Sequence, residues 1–460
     1  MISLLLDAAY LVALVIVSPW LVFRAWRHGK YRSGLAAKLW GAVPTRSEPG
    51  FCVWWHGVSV GEVNLLVPLI AAARRRHPDW QHVVTTTTRT GYEVAQRRFA
   101  DCTVCYCPLD FSWAIRRAMR RIRPDLLALA ELELWPNLIR TASKRDVPVA
   151  VVNGRLSERS FRGYQRLRWA LRGTFSRISL VAAQSSDYAD RFKAVGVPPD
   201  RVAVTGSLKF DGVETNRANP TTAAMSRLAG IDADDVVLLA GSTQAGEEAI
   251  ALRVFEQLAP RYPRLRLILV PRHPERFAAV ASLLDQSGVR WQRRTQLTGE
   301  NADPQARVLL VDAVGELAAW WGTAQLAFVG GSLGSRGGQN MIEPAAYGAA
   351  VSFGPNTRNF RDVVAALSGA RAAVVVGGES ELLAFVERGL ADPLWAVALG
   401  RRAQELVLSQ QGATEQTIDL LTQLVGDGPG TGRFHTPHAS RAHSALPPAQ
   451  PVAHRARRLV

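Results

Sequence analysis

Residues 51–63 read FCVWWHGVSVGEV: an apolar run that stops at His56 and Gly57, then Ser59-Val-Gly-Glu62, then a stretch of helical character closing on Arg74-Arg75-Arg76. A continuous apolar run ended by glycine fits a strand buried on both faces, the condition of a parallel sheet. Ser-x-x-Glu is a capping box, in which hydroxyl and carboxylate satisfy N–H groups that the first helical turn leaves without partners. The stretch therefore reads as strand, turn and helix, the repeating unit of an α/β fold. It leaves Glu62 with two readings, a helix cap or a chemical group at the carboxyl end of a strand.

The unit recurs. HVVTTTT (82–88), DLLALAELE (125–133), VPVAVVNGR (147–155) and ISLVAAQS (178–185) are further strand candidates, separated by Arg-rich helical segments such as SWAIRRAMRRIRP (112–124). After the polar stretch FDGVETNRANPTTA (210–223), a second series follows: DVVLLAGST (235–243), LRLILVPRH (265–273), ARVLLVDA (306–313), LAFVGGSL (326–333) and AAVSFGP (349–355). Two doubly wound parallel sheets side by side predict a cleft, with ligands beyond the carboxyl ends of the strands. The expected divisions are 1–32, a membrane-associated segment; 33–215 and 216–424, two Rossmann-like domains; and 425–460, a disordered basic tail rich in Pro, Gly, His and Arg.

Composition narrows the function classes. At 48% hydrophobic over 460 residues the chain is no disordered protein. The balance of 55 basic to 39 acidic residues, +16 net, points to an anionic partner such as phosphate, nucleotide or acidic lipid. Four cysteines fit a reducing compartment. Three of them, in CTVCYCPLD (102–110), lack a fourth zinc ligand nearby, and Cys105 and Cys107 alternate as strand residues do, so they read as core. Near the N-terminus, AAYLVALVIVSPWLVF (8–23) is uncharged but slightly short of the roughly 20 residues that span a bilayer. No cleavage site follows it. Trp20 and Trp26 suit a polar–apolar boundary, and Arg24, Arg27, Lys30 and Arg32 place the remainder in the cytoplasm by the positive-inside tendency. The segment reads as an inner-face anchor, with a buried helix of a soluble domain as the other reading.

Polar groups that could carry chemistry sit just past the apolar runs. In GGSLGSRGGQNMIEPAAYG (330–348), Asn340 opens a helix bearing Glu343, whose first backbone N–H groups could hold a phosphate, and the glycines permit its close approach. VPRHPERF (270–277) offers the planar fork of Arg272 and the imidazole of His273, and AGSTQAGEE (240–248) offers hydroxyls at a helix start. In the first half, ELELWPN (131–137) carries Glu131 and Glu133, and VTGSLKFD (204–211) carries Lys209, one of five lysines. A carboxylate opposite Glu62 would suit acid–base work or stabilise a cationic sugar, and a cleft ammonium would steady a departing phosphate. Each motif alone also reads as a turn, a cap or a salt bridge.

Taken in order, SVGEV, TTTTRTG, ELELWPNLI, NGRLSERSFRGY, VTGSLKFD, GSTQAGEE, LVPRHPERF and GGSLGSRGGQNMIEPAA give a sequence that resembles the 3-deoxy-D-manno-octulosonic acid (Kdo) transferases over roughly residues 10–425. The resemblance implies a GT-B fold, two Rossmann-like domains facing across a cleft. It implies inverting transfer of Kdo from CMP-Kdo to a phosphorylated lipid A precursor (lipid IVA-like), in lipopolysaccharide core synthesis at the cytoplasmic face of the bacterial inner membrane, with no metal or cofactor. Glu62 matches the family's general base, and Glu131 and Lys209 match positions that stabilise the transition state. Nucleotide contacts carry over to Arg272 and His273, to Val314, Gly315, Glu316 and Leu317, and to Asn340, Met341, Ile342 and Glu343, with Ser332 and its surrounding glycines ranked behind them. Gln244 departs from the family, where histidine often follows Ser-Thr. The basic segments 116–123 and 159–172 suit phosphorylated lipid or an anionic membrane. Nucleic acid is not an expected partner, because base-stacking and groove-reading motifs are absent. The competing readings are another GT-B lipid glycosyltransferase using a UDP-sugar, and a non-catalytic membrane-associated nucleotide-binding protein.

Overall fold

The computed structural model describes residues 2–28, 33–131, 135–299 and 301–426. The opening stretch forms strand β1 (Cys52–His56) and the helix Val60–Arg76, whose N-cap Ser59 accepts the Glu62 N–H through its hydroxyl. Six more parallel strands join β1: β2 (Gln81–Thr86), β3 (Thr103–Tyr106), β4 (Leu126–Ala130), β5 (Val149–Gly154), β6 (Leu180–Ala183) and β7 (Val202–Val204), in the order β3-β2-β1-β4-β5-β6-β7. A second parallel sheet has the order β10-β11-β9-β8-β12-β13-β14. Its strands are β8 (Val236–Thr243), β9 (Leu265–Pro271), β10 (Trp291–Arg293), β11 (Val308–Leu310), β12 (Leu326–Val329), β13 (Ala350–Phe353) and β14 (Ala373–Val375).

The inner strands of the first sheet feed two cores, because successive side chains point to opposite faces. Cys52, Trp54, Leu127 and Leu129 pack with Ile115, Met119, Leu138 and Phe175 on one side, together with Cys105 and Cys107. Val53, Trp55, Leu126 and Ala128 pack with Leu66, Leu69, Ile70 and Ala73 on the other. Both tryptophans are fully buried, and both indole N–H groups find acceptors: Trp54 donates to Thr85 Oγ1 at 2.7 Å and Trp55 to His82 Nδ1 at 3.1 Å.

The chain divides into two compact units. One runs to Asp211 and resumes at Gln410, and the other begins at Gly212 and runs to Ser409. This corrects the expectation that residues 216–424 form one domain. The final helix, Ala413–Gly426, lies in the first unit, where Ile418 and Leu421 share a core with Leu66, Leu69 and Ile70. Asp211 fixes its start by accepting the N–H groups of Gly412 (2.8 Å) and Thr414 (2.5 Å). Periodicity announces such a helix but cannot say which apolar face it will cover. The proposed tail beyond Gly426 lies outside the described residues, as do Lys30, Arg32 and Glu133.

The N-terminal helix, Ile2–His28, runs through Pro19. Proline has no N–H for the carbonyl four residues earlier. Here the Ser18 hydroxyl donates to that carbonyl, Val15 O, at 2.8 Å. The helix is largely exposed, with one exception near its start. Asp7, only 5% exposed, accepts the Ser112 N–H (2.8 Å) and hydroxyl (2.6 Å) and the Asn137 side-chain amide (3.2 Å). It thereby caps the helix Ser112–Ile122, whose local N-cap, Phe111, has no side chain able to do so. Beside it, Asp110 accepts the N–H groups of Asn137 and Leu138, both at 2.8 Å, and the Tyr10 hydroxyl at 3.2 Å. Burial pushes the Asp110 carboxyl up to about 7.

Candidate functional site

In each sheet the chain winds outward on one side of its first strand and then returns to that strand's other side. The reversal falls between β1 and β4 in the first unit and between β8 and β12 in the second. Loops leaving two such strands diverge and open a crevice at their carboxyl ends. Glu62 follows β1 and Glu131 follows β4, so the fold brings to one switch point two carboxylates 69 positions apart in sequence (131 minus 62).

The Glu62 side chain is half-buried and accepts the Val58 N–H through Oε2 and the Ser59 hydroxyl through Oε1, both at 2.9 Å. Three hydroxyls, those of Thr86, Thr87 and Thr88, converge on the carbonyl of that same Val58 at 2.9, 3.3 and 3.2 Å. The TTTT run is thus a brace for the loop that holds Glu62. Gly91 is part of it, since a Cβ there would lie 2.6 Å from Thr86 Oγ1 and 2.7 Å from Thr88 Oγ1. Burial raises the Glu62 carboxyl above its ordinary value, the hydrogen bonds from Val58 and Ser59 pull it back, and the charge of Glu131 raises it further. Glu131 itself sits at φ +59°, in the left-handed region that a non-glycine residue occupies at some cost. His56, at the end of β1, is buried, and desolvation holds it down at about 4, so it is a neutral donor to Thr85 near neutral pH and no proton acceptor.

Lys209 lies on the turn Leu208–Phe210 between two buried neighbours. The turn is held by Asn153, a fully buried residue at φ +54° at the end of β5, whose side-chain oxygen accepts the Leu208 N–H at 3.0 Å. Among the described residues the Lys209 ammonium makes no salt bridge, with Glu62, Glu131 or any other group. Asn153 and the threonine brace are supports that residue-by-residue reading passed over, because hydroxyls and amides at strand ends look like ordinary turn residues.

In the second unit the candidate residues sit at the ends of β9, β11 and β12. Arg272 is exposed, with no hydrogen bond or salt bridge from its guanidinium among the described residues, and His273 follows half-buried. Val314 is 77% exposed, and Gly315 turns at φ +93°. Glu316 is committed locally: it takes both arms of the Arg294 fork (2.8 and 2.7 Å) and the Trp320 indole N–H (3.2 Å), at the start of the helix Leu317–Trp321. Asn340 donates to Glu343 Oε1 at 3.0 Å and accepts the Ile342 N–H at 3.0 Å. Burial raises the Glu343 carboxyl, against the hydrogen bond from Asn340 and the charge of Arg272. Met341 and Ile342 are buried, so their side chains pack inward.

The first residues of the glycine-rich turn after β12 are held by a side chain of the chain itself. Glu247, 3% exposed, accepts four backbone N–H groups: Gln244 (2.8 Å) and Gly331 (2.7 Å) on Oε2, Ser332 and Leu333 (both 3.0 Å) on Oε1. Ser332 is fully buried, donating to Val329 O at 2.6 Å and accepting the Gly354 N–H at 2.7 Å. Gly330 is required by this packing, because a Cβ there would stand 2.6 Å from Thr243 Cα and 2.8 Å from the Glu247 carboxylate. A carboxylate of the chain itself thus occupies the backbone donors of Gly331, Ser332 and Leu333, while the segment from Gly334 to the helix that Asn340 opens lies beyond its reach.

Solved structures share this architecture. UDP-GlcNAc 2-epimerase from Neisseria meningitidis is 14% identical, with a TM-score of 0.55 over 81% of this chain and 100% of its own. A glycosyltransferase from Rickettsia africae is 10% identical, with a TM-score of 0.53 over 83% and 100%. At such identities the likeness is one of fold, and the fold is that of the GT-B glycosyltransferases. Sequence carries the assignment further. The family model described as 3-Deoxy-D-manno-octulosonic-acid transferase (kdotransferase) matches residues 27–212. The 3-deoxy-D-manno-octulosonic acid transferase of Haemophilus influenzae is 34% identical over 85% of this chain and 91% of that protein. The Bordetella pertussis transferase of the same description is 33% identical over 91% and 99%. The chain belongs to the Kdo transferase family, glycosyltransferases of lipopolysaccharide synthesis.

Proposed function

We propose that this chain transfers Kdo from CMP-Kdo to the phosphorylated, acylated disaccharide precursor of lipid A, a lipid IVA-like acceptor, at the cytoplasmic face of the inner membrane and without metal or cofactor. The observation that carries the reading is the pair Glu62 and Glu131 at the switch point of the first unit, in a chain of this family. Glu62 takes the proton of the acceptor hydroxyl as its oxygen bonds to the anomeric carbon of Kdo. The bond from that carbon to the CMP phosphate oxygen breaks, the electron pair leaves with CMP, and attack from the opposite face inverts the centre. Glu131 and Lys209 meet charge developing on the sugar and the departing phosphate. Arg272, His273, the Val314–Leu317 turn and the segment 340–343 hold the nucleotide, Met341 and Ile342 through packing of that segment. The membrane location is supported by the helix Ile2–His28, apolar over Ser3–Trp20 and almost unburied, followed by Arg24 and Arg27.

Incubation with CMP-Kdo and a tetra-acylated disaccharide, followed by mass spectrometry of the glycolipid, is the direct test. The expected product is heavier by one or more Kdo units. Turnover of a UDP-sugar with no lipid-linked Kdo would replace this reading with that of another lipid glycosyltransferase. A second expectation concerns pH. A base with a raised pKa is active only above that value, so the acid limb of kcat/KM should fall above the ordinary glutamate range. Removing the neighbouring charge in Glu131→Gln lowers the Glu62 pKa, so whatever activity remains should extend to lower pH. A limb that stays in place or moves upward would separate the two carboxylates.

A further inference from the structure

Crossover β5–β6 is made of two short helices, Glu158–Arg166 and Arg168–Phe175, broken at Leu167. Their inner surface is tied down, since Phe161, Tyr164 and Leu171 pack on the first core and Phe175 is buried in it. The corner between them is not. Leu167 is 52% exposed and Trp169 is 85% exposed, on a segment (157–173) that carries five arginines and one glutamate. An aromatic ring left in water beside a second large apolar group forgoes the burial that ordinarily stabilises both. Arginines on either side, Arg166, Arg168 and Arg172, are exposed as well.

The position of the corner identifies its partner. The N-terminal helix packs on the helix Ser112–Ile122, that helix on Pro136–Ser143, and that in turn on Arg168–Phe175. The last three cover one face of the first sheet, the N-terminal helix lies against the first of them, and Arg116, Arg117 and Arg120 are exposed between the two ends of the series. One end of the layer thus presents the bare apolar surface of the anchor helix, and the other presents Leu167 and Trp169 within positive charge. Tryptophan with flanking arginine is the combination that settles at the headgroup level of an anionic bilayer.

We propose that the Leu167–Trp169 corner is a second membrane-contact element, which inserts into the headgroup region of an anionic bilayer while the N-terminal helix holds the same layer elsewhere. The inference rests on the reading above that this chain works at a lipid surface. Two attachment points on one layer fix the tilt of the first unit against the membrane, which a single helix cannot do.

The test uses the full chain carrying an environment-sensitive nitrobenzoxadiazole label at Trp169→Cys, or as a control at Leu394→Cys, an equally bare position of the second unit at 81% exposure. Cys102, the half-buried one of the four native cysteines, is replaced by serine in both. On vesicles of phosphatidylglycerol and phosphatidylcholine the label at 169 should shift to the blue, and on pure phosphatidylcholine far less, with no shift at 394. In the unlabelled chain, Arg166→Ser and Arg168→Ser should each lower the partition coefficient onto anionic vesicles about fivefold. An unshifted label at 169 on a chain that is vesicle-bound overturns the proposal. So does a shift produced only by phosphorylated acceptor in detergent, which would make the corner an acceptor surface. A chain that binds neither vesicle overturns the lipid-surface reading itself, and this inference with it.

Discussion

Glu62→Gln should lower transfer by about 10²–10⁴-fold, the range of a lost general base, while calorimetry finds CMP affinity unchanged. The amide keeps one oxygen as acceptor for the Val58 N–H or the Ser59 hydroxyl, so the loop braced by Thr86, Thr87 and Thr88 retains most of its ties. What disappears is the capacity to take a proton. Ser59→Ala separates the cap from the chemistry. It removes the hydroxyl at the helix start, at a cost of about 1 kcal/mol of stability. It also removes a hydrogen bond that holds the Glu62 pKa down, so the acid limb should move upward with the base still present. Undiminished single-turnover transfer in Glu62→Gln would end the assignment, whatever the state of the cap.

The second large effect is expected at Glu247→Gln. One carboxylate oxygen becomes an NH₂ group pointing at N–H donors, so two of the four bonds to Gln244, Gly331, Ser332 and Leu333 are lost and replaced by donor–donor contact. At about 1–3 kcal/mol for each buried donor left unsatisfied, the second unit loses about 2–6 kcal/mol, a large share of what a domain has. Hydrogen exchange is the discriminating measurement. Amides of Ser332 and Leu333 should exchange much faster, amides of β1 in the first unit should not change, and CMP affinity should fall because the end of β12 no longer holds its shape. Protection at 331–333 equal to that of the unaltered chain would show the turn to be self-supporting.

Much of the fold was legible, and the pattern of what was missed has a physical cause. All ten apolar runs contain a strand, and the four strands outside them are β3, β7, β10 and β14, the two edges of each sheet. An edge strand has one neighbour, spans three or four residues here and is only partly buried, so it needs no long apolar run. Of the edges, only β3 left a trace, in the alternation of Cys105 and Cys107. At the site, the capping box is as read: Ser59 caps the helix, and the Glu62 carboxylate accepts the Val58 N–H and the Ser59 hydroxyl just past the end of β1. Glu247 was not legible, because a glutamate at a helix start looks like a dipole complement. That it crosses to a turn 84 positions further on, at Gly331, is a property of the β8–β12 switch and not of either segment.

The carboxylate of Asp7 bears on how such an enzyme is handled. Cutting away the first helix is the obvious route to a detergent-free preparation, yet it would strip the Ser112 amide of its acceptor and the Tyr10 hydroxyl from Asp110, opening the end of the sheet where Glu131 emerges. Polar replacement of Leu4, Leu5, Val12, Val15 and Ile16, with Asp7 and Tyr10 kept, would reduce the bare apolar surface and leave the clasp intact. Transfer lost on truncation but kept in that variant would trace the loss to the clasp, and transfer lost in both would trace it to the apolar surface.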